Sequence, residues 1–207
     1  MHPDFMELSA CPLLAPVPIV MASCAGREGK PNLITLAWAG MVCSDPPMLS
    51  ISVRKNRHSY SLIEETGEFV VNLVDINLAK ASDFCGVKSG RDMDKFAECG
   101  LHAIPAPPLE YAPALQEAPA YLCCKVEKIL PLGSHDMFIS RIVSVAVRNS
   151  LKDENGSLRL DKAGLVAYNH GVYQVLGDVL GFFGYSVAKE PVLKSRMAAY
   201  KSKPNKR

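Results

Sequence analysis

No run of about 18 uninterrupted apolar residues occurs in the 207 residues, so no membrane span is expected. The stretch Met1-His2-Pro3-Asp4-Phe5-Met6-Glu7 has neither the basic region nor the apolar run of a secretory signal, and a cytoplasmic location is expected. No C-x-x-C spacing is present, so zinc and iron–sulfur sites lack their usual ligand pattern. The seven cysteines (Cys11, Cys24, Cys43, Cys85, Cys99, Cys123 and Cys124) are odd in number and irregularly spaced, which is no disulfide framework and suits a reducing compartment. Internal repeats and low-complexity segments are absent. Aromatic residues make up only 7% of the chain, with a single tryptophan.

What is present is an ordinary globular composition: 48% hydrophobic, 21% charged, net charge +2. The charge is uneven. From Lys194 onward there are six basic residues and no acidic one, which leaves 17 basic against 21 acidic residues, a net of −4, in the remainder. A mildly acidic body argues against nucleic-acid binding. We read residues 1–185 as one domain and 186–207 as a basic C-terminal tail, either a solvated terminus or a contact for an acidic partner or lipid surface.

Short strands dominate the pattern. Pro18 to Cys24, the turn Ala25-Gly26-Arg27-Glu28-Gly29-Lys30 and the extended run Pro31 to Gly40 read as a hairpin. Leu49, Ile51 and Val53 alternate with Ser50 and Ser52, the period of a half-buried strand. Glu68 to Leu73, Leu122 to Ile129 and Met137 to Val147 are further strands. Three short helices are expected over 59–66 (stopped by Gly67, with Ser61 and Glu64 at capping-box spacing), 77–84 (stopped by Gly86) and 92–99. Prolines at 105, 107, 108, 113 and 119 mark a long irregular crossing. After Asn149 the pattern weakens into glycine-rich loops. Many strands, few helices and one long connection suggest a Greek-key barrel.

Five segments carry candidate chemistry. Arg54-Lys55-Asn56-Arg57-His58-Ser59 places cations and a hydroxyl just ahead of a helix N-terminus, where free N–H groups and the dipole favour a phosphate. Alone, it reads more simply as a solvated basic turn. Asn32 to Gly40 sets small residues around Trp38, with Asn32 and Thr35 able to bond the polar edge of a flat ligand; a core tryptophan is the plainer reading. Lys95, in Ser89-Gly90-Arg91-Asp92-Met93-Asp94-Lys95-Phe96, points at an anion or pairs with Asp92 or Asp94. His135 enters a strand beside Gly133, and Tyr168 stands in a late tyrosine-bearing loop.

Each segment is weak singly; their order is informative. The series N-x-x-T-x-x-W, Cys43-Ser44-Asp45-Pro46-Pro47, an alternating strand, the basic loop, Phe69-Val70-Val71-Asn72, D-K-F, G-x-H and a Tyr-rich loop resembles the flavin reductase-like, FMN-binding split-barrel family over roughly residues 10–180. It looks most like the flavoredoxin branch. The resemblance implies a mainly β, six-stranded Greek-key split barrel with a few short helices, homodimeric, with one FMN per subunit near the dimer interface. It implies Asn32, Thr35 and Trp38 beside the isoalloxazine and ribityl chain, Ser44 close to the ring, and Arg54, Asn56 and Ser59 on the phosphate. It further implies Lys95 reaching the flavin, His135 on the redox-active side and Tyr168 covering it. The two-component flavin reductases favour Asp and Gly where this chain has Ser134 and Ser140, and the Tyr-rich loop lacks their paired glycines. Those departures bear on a nicotinamide site more than on FMN.

The expected function is an FMN-dependent oxidoreductase or electron carrier, reduced by NAD(P)H or a protein donor and oxidised by a partner protein or small-molecule acceptor. The alternatives are a non-catalytic flavin-binding or thiol-sensing module, using Cys43 or the adjacent Cys123 and Cys124, and a flavin-free interaction domain that binds through its basic tail.

Overall fold

The computed structural model describes residues 4–200. Four of the tail's basic residues, Lys201, Lys203, Lys206 and Arg207, lie outside the described residues. The chain forms two compact units, one ending at Val175 and one beginning at Leu176.

In the first unit the strands are β1 (Val17–Pro18), β2 (Val20–Ala25), β3 (Pro31–Leu36), β4 (Ala39–Ser44) and β5 (Pro47–Val53), then β6 (Glu68–Leu73), β7 (Ala103–Ile104) and β8 (Ala114–Leu115), then β9 (Ala120–Pro131), β10 (Asp136–Val147), β11 (Val166–Asn169) and β12 (Val172–Val175). The helices are α1 (His58–Thr66), α2 (Ala79–Val87) and α3 (Lys95–Cys99). The main sheet has seven strands in the order β3-β2-β6-β9-β10-β5-β4, every neighbouring pair antiparallel. The mainly β architecture is as expected. The sheet has one strand more than the six expected, because the run 31–40 breaks at Ala37 and Trp38 and restarts as β4. β3 and β4 stand at the two ends of the sheet, which is not closed.

Alternation sorts the side chains into layers. Val20, Ala22 and Cys24 of β2 join Ile51, Val53, Phe69 and Phe138 in the central core. Met21, from the opposite face of β2, packs with Leu33, Leu78, Cys85 and Phe96 beneath α2 and α3. With both faces covered, all six residues of β2 are buried. The adjacent thiols of β9 likewise point apart: Cys124 enters the central core, and Cys123 a third cluster with Val70, Ala106 and Ala114.

Two buried polar side chains of β6 organise the proline-rich crossing. Asn72 donates to the Met21 carbonyl at 2.9 Å and to Ser23 Oγ at 2.8 Å, and accepts from the Leu115 N–H at 2.8 Å. Glu68 Oε2 accepts from the N–H groups of Glu110 and Tyr111, both at 2.9 Å. The crossing is therefore irregular but tied down, and it contains the small β7–β8 ladder.

The helices differ in detail from the expectation. α1 starts at His58, and Arg57 at its N-cap position makes no side-chain cap. The capping box does not form, since Ser61 Oγ bonds the His58 carbonyl instead. The stop at Gly67 holds, with φ 68°. α2 runs through Gly86 rather than ending before it. A Cβ at Gly86 would stand 3.3 Å from Thr35 Cβ, so this glycine serves the close approach of α2 to β3. α3 begins later than expected, capped by Asp94, whose carboxylate accepts from the N–H groups of Phe96 and Ala97.

The weakly patterned region after Asn149 contains the hairpin β11–β12, with the positive-φ pair His170 and Gly171 at its turn, and β11 also pairs with β1. In the second unit, α4 (Glu190–Tyr200) is an exposed helix within the stretch read as a tail, and Arg196 lies 4.9 Å over the Phe182 ring. No helix among the described residues is long and apolar enough to cross a membrane.

Candidate functional site

A two-part groove runs along the first unit where β3, the loop after β5 and α2 meet. Its wider part has a volume of 460 Å³, within the ~300–1,000 Å³ usual for small-molecule sites. Its narrower part, 190 Å³, shares Ile34, Arg57 and Gly86 with the first.

The wider part is walled by aromatic and apolar groups. Trp38 and His135 meet with ring centroids 4.5 Å apart at 51°, and Tyr168 and Tyr173 meet edge-on at 5.6 Å. Trp38 is 46% exposed, so it serves as a groove wall and not as core. Thr35 lines this part, but its hydroxyl donates to the Ser82 carbonyl. The Tyr173 hydroxyl donates to Asp83 Oδ1 at 2.9 Å, tying the β11–β12 hairpin to α2; its pKa rises to about 12 through burial and the neighbouring carboxylate.

His135 sits between Arg54, whose Nε donates to its Nε2 at 3.4 Å, and Ser134, whose hydroxyl is 2.9 Å from its Nδ1. A guanidinium can only donate, so this pattern assigns the imidazole proton to Nδ1. Burial first, then Arg54 and Arg57, lower its pKa below 6.5, so the ring is neutral at pH 7.

The narrower part is cationic. Arg57, Lys88, Arg91 and Lys95 line it, and no carboxylate does. The N-terminal turn of α1 contributes His58 and Ser59, with no side chain capping its N–H groups. Buried Asn32 donates to Ser59 Oγ at 2.7 Å, and Arg91 donates to the Asn56 carbonyl at 2.8 Å, bracing the two rims. Burial, then Arg91, Lys95 and Lys30, hold the His58 pKa down, a sign of the local positive field.

Most of the candidate residues converge here. Asn32, Asn56, Ser59 and Lys95 line the narrow part, and Thr35, Trp38, Arg54, His135 and Tyr168 the wide part. Three placements correct the expectation. Arg54 lies with His135 in the aromatic part and not at the anion part, because the turn closed by the Arg57 N–H to the Arg54 carbonyl at 3.0 Å leaves Arg57 at the junction. Lys95 is 4% exposed and pairs with neither Asp92 nor Asp94; its ammonium donates to the Leu33 and Cys85 carbonyls, both at 2.7 Å. Ser44 lines neither part, since β4 carries it six residues from Trp38, about 20 Å of extended chain.

Arg57, Lys88 and Arg91 were not singled out from the sequence. The first and last stand inside the basic loop and the S-G-R-D segment, but their convergence needs the start of α1 and the end of α2 to meet at one pocket. Among the described residues no group of three or more His, Cys, Asp or Glu is placed to hold a metal.

The flavin reductase like domain model matches residues 13–177. The chain belongs to the flavin reductase like family. Within this family it is similar to the flavoredoxin of Desulfovibrio vulgaris (Miyazaki F), with 29% identity and a TM-score of 0.81 over 86% of this chain and 96% of that one. It is also similar to the flavoredoxin from Methanosarcina acetivorans, with 25% identity and a TM-score of 0.78 over 89% of this chain and all of that one. A curated relative, the reductase component of a 4-nitrophenol 4-monooxygenase/4-nitrocatechol 2-monooxygenase from Rhodococcus opacus, is 26% identical over 58% of this chain and 60% of its own length. These likenesses support the flavoredoxin branch and a flavin-related oxidoreductase or electron-transfer function.

Proposed function

We propose that this flavin reductase-like protein binds FMN in the two-part groove and passes electrons through it, from NAD(P)H or a reduced protein to an acceptor. The observation that carries the reading is the junction of an aromatic cleft with a four-cation, carboxylate-free pocket at an uncapped helix N-terminus. A flat aromatic ligand ending in a phosphate matches both halves, and a simple flavin without phosphate would leave the cationic half without a counter-charge. The Arg57 guanidinium, the Ser59 hydroxyl and the first N–H groups of α1 would hold the phosphate, with Arg91 bracing the rim. Trp38, His135 and Tyr168 would bound the ring. When bound, FMN supplies the acceptance and release of a hydride or electrons.

The chain's own part is binding and electrostatics. Arg54 and Arg57 place positive charge along the cleft, which favours a ligand that gains negative charge on reduction. His135, neutral and with Nε2 accepting from Arg54, orients and does not donate a proton from that atom. Exposed Trp38, Met41 and Val42 lie on or beside end strand β4, and we infer that a second copy covers this apolar edge and closes the groove in a homodimer.

The test is reconstitution followed by anaerobic stopped-flow reduction with NADH, NADPH and reduced ferredoxin in parallel. The purified protein is expected to take up one FMN per chain and to be reduced by at least one donor. Failure to bind added FMN would overturn the reading; bound FMN that no donor reduces would favour the sensing module. Sedimentation of the purified chain as a monomer would remove the dimer.

A further inference from the structure

Two thiols stand in contact beside the anion pocket, one on its wall and one behind it, with no part in the function proposed above. Cys85 of α2 is 1% exposed and lines the pocket; Cys99, the last residue of α3, is half-buried, and the two Sγ atoms are 4.0 Å apart. Cys99 also lines a separate surface cavity of 340 Å³ with Phe84 and Glu98. The pair thus connects two spaces: a small oxidant can reach it at Cys99, and the phosphate-binding wall feels it at Cys85. The adjacent Cys123 and Cys124 offer nothing comparable, because they face different cores.

We propose that Cys85 and Cys99 are a redox-active pair which a hydroperoxide converts to a disulfide, and that closing it loosens the grip of the anion pocket on a phosphate group. Cys99 sulfur attacks the terminal peroxide oxygen, the O–O bond breaks, and an alcohol or water leaves with a sulfenic acid at Cys99. Cys85 sulfur then attacks that sulfur, the S–O bond breaks and water departs. In sum, two thiols and one hydroperoxide give one disulfide, one alcohol (or water) and one water. Burial pushes the Cys85 thiol up to about 12 and raises Cys99 too, so the resting pair is protonated and reacts slowly. The Lys95 ammonium beside Cys85 opposes this, and Cys99, the less buried sulfur, reacts first.

The mechanical consequence follows from the packing. A disulfide needs S–S near 2.05 Å, so the sulfurs must close by about 2 Å. Cys85 lies on the anion pocket and Cys99 does not, so closure shifts the α2 wall relative to the rest of the pocket. It also pulls on the Cys85 carbonyl that accepts from Lys95 at 2.7 Å.

The experiment treats the reduced full chain with hydrogen peroxide and maps the linked peptides by mass spectrometry. FMN affinity and hydrogen exchange over residues 79–99 are then measured before oxidation, after it, and after dithiothreitol. The expected result is a Cys85–Cys99 link, FMN binding about tenfold weaker (the loss of roughly one charge-assisted contact), faster exchange in α2, and full reversal by dithiothreitol. Cys99→Ser should bind FMN like the reduced protein and ignore peroxide. Oxidation confined to the other cysteines, or a Cys85–Cys99 link that changes neither affinity nor exchange, would overturn the proposal. The affinity readout rests on the FMN reading; if the reduced protein binds no FMN, that reading fails separately, and exchange over 79–99 decides this one, with unchanged rates refuting it.

Discussion

Gly90→Ala isolates one contact on which the anion pocket depends. Gly90 has no positive φ, so its backbone accepts alanine and the effect is steric. A Cβ there would stand 2.7 Å from Asn32 Cγ, nearer still to Oδ1, and 3.1 Å from His58 Cδ2. Asn32 is 5% exposed and cannot swing into solvent without giving up its 2.7 Å bond to Ser59. Overpacking of this kind costs about 1–3 kcal/mol. At roughly 2–4 °C per kcal/mol for a chain of this size, Tm should fall by about 2–12 °C. Because Asn32 braces Ser59, FMN affinity should fall with it. The decisive assay is a double-mutant cycle by urea unfolding. Asn32→Ala alone should cost about 1 kcal/mol for the lost hydrogen bond. Since the clash is with the asparagine side chain, adding Gly90→Ala in that background should cost clearly less than in the parent. If Gly90→Ala costs as much without Asn32 as with it, or costs nothing in the parent, the steric argument is wrong.

Three further outcomes follow from the same geometry. Arg57→Ala should weaken FMN binding by about tenfold to a hundredfold, as expected for one charge-assisted contact worth ~1.5–3 kcal/mol, and Arg54→Ala by less; equilibrium fluorescence titration checks the ranking. Arg54→Ala should raise the His135 pKa toward 6.5, visible in an NMR titration of the imidazole. Because that pKa is lowered in the fold, the His135 contribution is intact above pH 6.5 and is lost as pH falls through 6.5 toward the folded value, so the variant should lose less stability on acidification. Asn72→Ala removes the buried bonds to Met21, Ser23 and Leu115 and should cost about 3 kcal/mol, a Tm fall of roughly 6–12 °C, with little change in FMN affinity in the surviving folded protein.

Where the chain's local chemistry is strong, its structure was legible in order. Leu49, Ile51 and Val53 alternate and are buried; Glu68–Leu73 is a strand at both expected ends; Gly67 ends α1 with a left-handed residue. These features follow from period and from backbone preference, which act within a few residues. Gly86 was misleading for the same reason: as a local signal it reads as a helix stop, whereas its use is the approach of α2 to Thr35 across 50 residues of chain.

The site divides along the same line. Residue types suited to an aromatic ligand and a phosphate, and their order along the chain, are properties of the sequence: Asn32, Trp38, Ser59 and His135 were identifiable there. Which cation lines which part of the groove was decided only in three dimensions. One tight turn separates Arg54 from Arg57, keeping Arg54 in the aromatic part and setting Arg57 at the junction of the two parts, and burial against two carbonyls ties down Lys95. The pairing of Cys85 with Cys99 has no sequence signature at all, since two helices must pack before the sulfurs touch. Periodicity and turn chemistry are local and are written in the sequence, whereas charge convergence and thiol contact depend on distances across the fold, which only the packed structure sets.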